Sequence, residues 1–248
     1  MPFTYLYLDQ VDSTNAFLLG KEERERIGKV VWAGDQTAGK GMATNVWESE
    51  PGSNLTFSIG FDLSFLKAAD QFLLSEAVPL GLLDVLDTTL PAESLSVKWP
   101  NDLFYGGRKL CGILINSTIR GTMMGTSVIG IGLNVNQMEF QPWPTRPVSM
   151  KMILGREVAL EPLLHLLVEA VSRRTEMLRT DGGVAGIKKD YLSRLFQYHA
   201  WADYEVNGQK VQRFITGIDP FGRLETLDES GASFLYDLKE IKYLTPNC

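Results

Sequence analysis

Hydrophobic and polar residues alternate in short segments through the first 140 residues, which predicts β-strands. Residues 3–8 alternate in this way. The runs VVWAGDQ, LTFSIGF, LSVKW and SVIGIGLNVN are rich in the β-branched and aromatic residues that are typical of strands. After residue 198 the chain changes to short alternating segments separated by glycine or acidic turns, which indicates a small β-barrel.

Helices are predicted between and after these strands. Hydrophobic residues at helical spacing indicate a long helix over 68–90, and two further helices over 161–179 and 184–196. The polar side chains at 12–15 can cap a helix that starts in AFLLGKEERERIG. We therefore predict an α+β fold, in which a mixed sheet carries helices on one side and a small all-β domain follows.

The composition narrows the class of protein. The chain has 248 residues, a formal charge of −6 and scattered basic residues, so we expect no nucleic-acid partner. Two cysteines, Cys111 and Cys248, make no disulfide framework, and the distant His165 and His199 indicate no zinc site. Because we find no secretory leader and no apolar run of ~18 residues, we expect a cytoplasmic protein without a membrane partner.

A glycine-rich segment with few apolar residues, which we call the glycine loop (37–54), separates the second and third predicted strands. Residues 34–41, GDQTAGKG, nearly match a phosphate-binding loop, but Gly41 replaces its magnesium-binding hydroxyl residue and no helix pattern follows. Thr44 stands where a dinucleotide fingerprint needs its third glycine. We predict a loop that binds an anion after a ligand orders it; the alternative is a flexible surface loop.

Two glycines at 106–107 separate β-prone runs and predict a hairpin with a two-residue turn. This turn would pair Phe104 with Lys109, and Asp102 with Cys111. Asp102 and Lys109 would then be diagonal neighbours on one face of the sheet. There the carboxylate can position an amine while the lysine neutralises a carboxylate or phosphate. The alternative is a surface ion pair of about 0–1 kcal/mol.

Glycines alternate with apolar residues in GIGLNVN, so that Gly130 and Gly132 would share one face of a strand. Glycine weakens the interior of a strand, and a pair on one face indicates that another molecule or backbone approaches closely. A bulge or tight packing is the alternative explanation.

Six segments together resemble the biotin protein ligase family. VDSTN, QTAGKG, WESEPGSNLTFS, KWPNDL, RKLCGIL and GIGLNVN occur in the family's order and spacing over most of residues 6–136. The resemblance implies a catalytic domain related to class II aminoacyl-tRNA synthetases at 1–198, and an SH3-like β-barrel at 199–248. No helix-turn-helix pattern precedes the first strand, so we expect the short form without the N-terminal DNA-binding domain of bifunctional members.

The resemblance implies an enzyme that forms biotinyl-5′-AMP from biotin and ATP, then transfers biotin to a lysine of a biotin carboxyl carrier protein. Magnesium would arrive on the ATP phosphates, with no metal ligands from the chain. A homodimer is also suggested. The residues implied to bind biotin, through polar groups at its ureido ring, close backbone approach or contact with its carboxylate, are Ser13, Thr14, Asn15, Gln36, Gly39, Gly41, Lys109, Gly112, Gly130 and Gly132.

The resemblance implies a second group of residues that bind ATP, namely Lys40, Trp47, Lys98, Asn101 and Asn134. Trp47 would stack on adenine; alternatively, it is a buried residue that anchors the end of the loop. The residues implied to be catalytic are Lys109, Asp102 and Lys40, of which Asp102 would orient the acceptor lysine and Lys109 would contact the biotin carboxylate and α-phosphate.

The glycine loop departs from the family pattern, which carries arginine where this chain has Lys40 and Ala43, and arginine or glutamine where it has Met42. Arginine grips carboxylate and phosphate with two donors, so we hypothesise weaker ATP affinity or leakage of the adenylate. The alternatives are an impaired or non-catalytic biotin-binding homologue, or a lipoate or octanoate ligase or transferase. The KWPND segment with Asp102 and Lys109 favours biotin.

Overall fold

The computed structural model describes residues 2–42, 45–141 and 146–244. Of the residues discussed above, Ala43, Thr44 and Cys248 lie outside the described parts of the chain. No helix among the described residues is long and apolar enough to cross a membrane.

One mixed sheet organises the N-terminal part of the chain. Its strands, which include every strand predicted for this part, are β1 (Thr4–Val11), β2 (Lys29–Gln36), β3 (Leu55–Asp62), β4 (Leu95–Lys98), β5 (Asp102–Tyr105), β6 (Arg108–Arg120) and β7 (Met123–Leu133). They lie in the order β1-β2-β3-β7-β6-β5-β4. β1 and β2 are parallel, while β2 and β3 are antiparallel, so the mixed sheet is confirmed.

The predicted helices are present with shifted ends, and the one predicted to start in AFLLGKEERERIG is divided into two. They are α1 (Thr14–Leu19), α2 (Glu23–Arg26), α3 (Phe72–Leu86), α4 (Met150–Leu154), α5 (Leu160–Met177) and α6 (Asp181–Ser193). Ser13 caps α1 and accepts a hydrogen bond from the Ala16 amide. The helix predicted over 68–90 is shorter at both ends, and the short α4 was not predicted.

The helices lie on both faces of the sheet, so the prediction that they occupy one side is wrong. Val30 and Ile131 point into the main core, which also contains the apolar residues of α3 and α5. Val31 points the other way and packs with Leu18 of α1 and Val128 of β7. Ser58 is paired with Val31 on one side and with Gly130 on the other. Residues paired across a sheet lie on the same face, so Gly130 also belongs to the α1 face.

The C-terminal part is a five-stranded antiparallel sheet, as the alternating segments predict. Its strands are β8 (Trp201–Val206), β9 (Gln209–Ile218), β10 (Leu224–Leu227), β11 (Ser233–Tyr236) and β12 (Ile241–Tyr243). They lie in the order β11-β10-β9-β8-β12. The domain boundary near residue 198 stays a prediction. One single bridge joins Val97 to Leu195 before this boundary, and another joins Tyr198, at the boundary, to Ile215 in β9.

Candidate active site

A cavity of about 740 Å³ lies on the α1 face of the large sheet. The sheet forms one wall, the glycine loop a second, and residues near β12 a third. It is lined by all but one of the predicted site residues, namely Ser13, Thr14, Asn15, Gln36, Lys40, Gly41, Trp47, Lys98, Asn101, Asp102, Lys109, Gly112, Gly130, Gly132 and Asn134. The exception is Gly39, whose carbonyl accepts a hydrogen bond from the Trp47 amide at 3.0 Å.

Uncharged polar side chains form one end of the cavity. The Thr14 amide and hydroxyl both donate to Gln36 Oε1, at 2.8 and 3.1 Å. The Thr14 hydroxyl also lies 2.9 Å from the hydroxyl of Ser58 on β3. Asn15 is 5% exposed, and its side-chain nitrogen is buried without a hydrogen-bond partner among the described residues. Donors and acceptors fixed in this way suit a neutral polar ligand group such as a cyclic urea.

Glycines on β6 and β7 leave space along the floor of the cavity, and Trp47 lies over two of them. Gly112 is paired with Gly132. A Cβ on Gly132 would lie 2.3 Å from Trp47 Cε2, and one on Gly112 would lie 3.0 Å from Trp47 Cζ3. The contact explains why this floor carries no side chains: the close approach that alternating glycines predict is made here by an aromatic ring of the chain itself.

Trp47 lines the cavity close to Lys109. Its ring centroid is 5.7 Å from Lys109 Nζ, and its indole nitrogen is buried without a hydrogen-bond partner among the described residues. Stacking of this ring on adenine stays a prediction.

The hairpin joins Asp102 to Lys109, although by a different register from the predicted one. Phe104 does face Lys109, but Asp102 faces Gly112 and not Cys111, because a bulge between the two pairs makes Leu110 an extra residue. Lys109 Nζ and Asp102 Oδ1 form an ion pair of 2.8 Å, with both side chains largely buried. A Cβ on Gly112 would lie 3.4 Å from Lys109 Nζ, so this glycine leaves room for the ammonium group.

Lys98 provides a second positive charge beside this ion pair. It lies opposite Asp102 in the register of β4 and β5. Burial lowers the pKa of Lys98, and the charge of Lys109 lowers it further, while Asp102 opposes the shift. Two lysines thus share one carboxylate, which leaves a net positive charge in the cavity that suits a phosphate chain.

Asn101 and Asn134 use their side-chain amides to hold backbone. The Asn101 side-chain nitrogen donates to the Ile113 carbonyl. The Asn134 side-chain nitrogen lies between the Val148 and Lys109 carbonyls, at 3.2 and 3.4 Å. Asn134 is 3% exposed, so its role toward a nucleotide stays a prediction, whereas its contact with the backbone of Lys109 is direct.

Sequence patterns did not indicate Ser58 or the wall near β12. Ser58 does not line the cavity, but its hydroxyl contacts that of Thr14, which does; the signal that could have found it is the small and polar row of Thr56, Ser58 and Gly60 on one face of β3. A group of residues beside and within β12 contributes Leu238, Lys239, Ile241, Lys242 and Tyr243 to the wall. No local pattern marks that group.

The model of the Biotin/lipoate A/B protein ligase family matches residues 7–134 of the chain. A biotin–[acetyl-CoA-carboxylase] ligase of Paracoccus denitrificans is 30% identical over 233 residues, covering 92% of both chains. The bifunctional ligase/repressor BirA of Escherichia coli (strain K12) is 37% identical over 234 residues, which cover 92% of this chain and 68% of that protein.

Solved structures agree on the fold. The biotin protein ligase of Aquifex aeolicus in complex with biotin and ATP superposes with a TM-score of 0.77 at 21% identity, covering 96% of this chain and 97% of that one. The biotin protein ligase of Leishmania major in complex with biotinyl-5-AMP has a TM-score of 0.65 at 19% identity, over 96% and 100% of the two chains.

Proposed function

The chain belongs to the biotin/lipoate A/B protein ligase family, and on this premise we propose that it forms biotinyl-5′-AMP from biotin and ATP and transfers biotin to a lysine of a biotin carboxyl carrier protein. One observation in the cavity supports the proposal most strongly. A neutral polar end, a glycine floor and the Asp102–Lys109 pair follow one another in a single space, as an acid with a cyclic urea at one end and a carboxylate at the other requires.

In the proposed first step, biotin lies with its ureido ring at Thr14, Asn15 and Gln36 and its carboxylate at Lys109. A carboxylate oxygen attacks the α-phosphorus of ATP, the bond from that phosphorus to the bridging oxygen breaks, and pyrophosphate leaves. Lys109 and Lys98 neutralise the charge that gathers at the phosphates. Lys40 of the glycine loop, which also lines the cavity, adds a third positive group.

In the proposed second step, the amine of the acceptor lysine attacks the carbonyl carbon of biotinyl-5′-AMP and AMP leaves. Asp102 accepts a hydrogen bond from this amine, orients it and receives its proton. The 2.8 Å ion pair between Asp102 and Lys109 supports this role, because Lys109 is the group that we propose binds the carboxylate of biotin.

Magnesium belongs to this proposal as part of the MgATP substrate. No group of three or more His, Cys, Asp or Glu side chains suited to a metal ion occurs among the residues described by the structure. We propose that the ion is bound mainly by the phosphate oxygens of ATP and reduces their negative charge. A homodimer is a further proposal that rests on the family resemblance alone, and a cytoplasmic location is one that rests on the sequence analysis.

Exchange of labelled pyrophosphate into ATP tests the first step, with biotin, lipoate and octanoate run in parallel at one enzyme concentration. We expect exchange with biotin only, followed by labelling of a carrier domain on its lysine. Exchange with lipoate or octanoate in place of biotin would reassign the substrate within the family. Biotin binding by calorimetry without exchange would show a binding protein and contradict the ligase.

A further inference from the structure

The ammonium group of Lys98 lies against two aromatic rings, and its attraction to Asp102 is not accompanied by an ion-pair contact among the described residues. This group lies 4.9 Å from the ring centroid of Tyr243 and 5.4 Å from that of Phe104. Asp102, which lies opposite Lys98 across β4 and β5, forms its ion pair with Lys109. A ring face attracts a cation without cancelling its charge, so the charge of Lys98 stays available to an anion.

Tyr243 reaches the cavity because of the way β12 is packed. It is paired with Tyr204 of β8, and their ring centroids are 5.1 Å apart. On its other side, Phe196 lies 6.1 Å away and itself contacts Phe104 at 5.5 Å. These contacts fix the ring of Tyr243 from the C-terminal sheet against the hairpin of the large sheet.

The hydroxyl of Tyr243 is an unpartnered donor in a residue of the cavity wall. It is buried and has no hydrogen-bond partner among the described residues, although its residue lines the cavity. Burial raises the pKa of this phenol well above its ordinary value, and nearby Tyr204 and Tyr191 raise it further, so the hydroxyl keeps its proton and is a donor at neutral pH. A buried donor without an acceptor costs free energy that an incoming oxygen ligand would recover.

We propose that Tyr243 is part of the nucleotide half of the site: its ring positions the ammonium group of Lys98, and its hydroxyl donates a hydrogen bond to a phosphate oxygen of ATP. The inference rests on the proposed ligase function. It assigns a role in adenylation to the C-terminal sheet, since removal of one ring from β12 would free the lysine that stabilises the departing pyrophosphate.

Two variants separate the ring from the hydroxyl. Tyr243→Phe keeps the ring and should raise the KM for ATP in pyrophosphate exchange about threefold. Tyr243→Leu removes both and should raise it about tenfold. The dissociation constant of biotin, measured by calorimetry, should stay at the wild-type value for both. Tyr236→Phe, in β11 of the same sheet and outside the cavity wall, is the matched control and should leave the KM unchanged.

Two further measurements distinguish positioning from a structural effect. Transfer from supplied biotinyl-5′-AMP should proceed at the wild-type rate in both variants, because pyrophosphate has already left. In Tyr243→Leu, water reaches Lys98 and its lowered pKa returns toward the ordinary value, so the alkaline loss of exchange activity should move to higher pH.

Wild-type ATP KM in both variants, or equal losses in ATP binding, biotin binding and transfer, would overturn the inference. A normal Tyr243→Phe beside an impaired Tyr243→Leu would remove the hydroxyl from the proposal and support the ring. If the wild-type protein itself shows no biotin-dependent exchange, the proposed function fails, which this comparison distinguishes from failure of the Tyr243 inference alone.

Discussion

Asp102 and Lys109 form one ion pair, yet the proposed chemistry uses them in different steps. In Asp102→Asn the amide still accepts a hydrogen bond but no longer receives a proton. We expect biotin-dependent pyrophosphate exchange to fall less than about tenfold, and transfer from preformed adenylate to fall about 10²-fold. Single-turnover transfer to a carrier domain measures the second value. Equal losses in both steps would show that Asp102 acts only by holding Lys109.

Gly132 tests the floor of the cavity. A Cβ there would lie 2.3 Å from Trp47 Cε2, so Gly132→Ala must displace a ring of the glycine loop and narrow the space for a ligand. We expect biotin affinity to fall at least about tenfold in calorimetry, with little change in melting temperature because the loop can move. Gly182→Ala in α6 is the control: its Cβ meets nothing within 4 Å, so affinity should be unchanged. Normal affinity in Gly132→Ala would place biotin elsewhere.

Glu76 is a titratable carboxyl group in the core that has no part in the proposed chemistry. It lies in α3, is 5% exposed, and burial raises its pKa from 4.5 to about 7, while Lys188 opposes the shift. The folded state therefore holds this proton more tightly than the unfolded state. The resulting stabilisation is complete below about pH 4.5 and is lost as pH rises through about 7.

Glu76→Gln removes this titration. We expect its free energy of unfolding to exceed that of the wild type by roughly 2–3 kcal/mol more at pH 8.5 than at pH 5, measured by urea denaturation. Glu229→Gln on an exposed turn is the control and should leave the wild-type pH profile unchanged. A constant difference between Glu76→Gln and the wild type at both pH values would contradict a carboxylate that becomes charged within the core.

At the scale of elements, the glycine loop combines a backbone held by hydrogen bonds with a changed set of side chains for binding an anion. The Gly41 amide donates to the Asn45 carbonyl at 2.8 Å, and Lys40 pairs with Val46 in a single antiparallel bridge. The backbone therefore directs position 40 to the cavity whether its side chain is lysine or arginine. The hypothesis of weaker ATP affinity or leakage of the adenylate concerns the side chain alone.

Lys40→Arg tests that hypothesis by adding a second donor to the cation. We expect the KM for ATP to fall about 3- to 10-fold and the labelling of bystander proteins to decrease. Lys210→Arg, on an exposed lysine paired with Asp203, controls for the chemistry of the substitution. A wild-type protein that already binds ATP with ordinary affinity and labels no bystanders would refute the hypothesis.

At the scale of the whole molecule, the two sheets meet beside the site. Trp99, which follows Lys98, is 4% exposed and donates from its indole nitrogen to the Gly222 carbonyl at 2.9 Å. Gly222 has a φ of +89°, and a Cβ there would lie 2.2 Å from Phe72 Cδ2 on α3. The turn between β9 and β10 is thus fitted closely against the large sheet and its helix.

Trp99→Phe keeps an aromatic ring at this contact and removes its donor. We expect the free energy of unfolding to fall by about 1–3 kcal/mol, because the buried carbonyl of Gly222 loses its partner and the smaller ring leaves a gap. Chemical denaturation measures the change. Trp201→Phe, at a ring that is 49% exposed, should change stability by less than about 0.5 kcal/mol. Equal effects of the two substitutions would mean that the contact between the sheets contributes no stability.

The sequence by itself determined the strands, the long helices and most of one cavity wall. Alternation and helical spacing are local, and a strand with glycines every second residue places Gly130 and Gly132 on one face wherever it lies. The hairpin turn likewise brings Asp102 and Lys109 together, even though the bulge at Leu110 changes the register. The biotin ligase motifs added the roles, which await test.

Only the tertiary structure decided which elements close the cavity. Ser58 contacts Thr14 because β3 lies beneath α1, and α1 occupies the opposite face from α3, a choice that hydrophobic spacing does not encode. Tyr243 meets Lys98 across 145 positions of the chain, and the alternation in β12 is the same as in any exposed edge strand. Local periodicity indicates which face of a strand is buried. The segments that cover that face are determined by packing between distant parts of the chain.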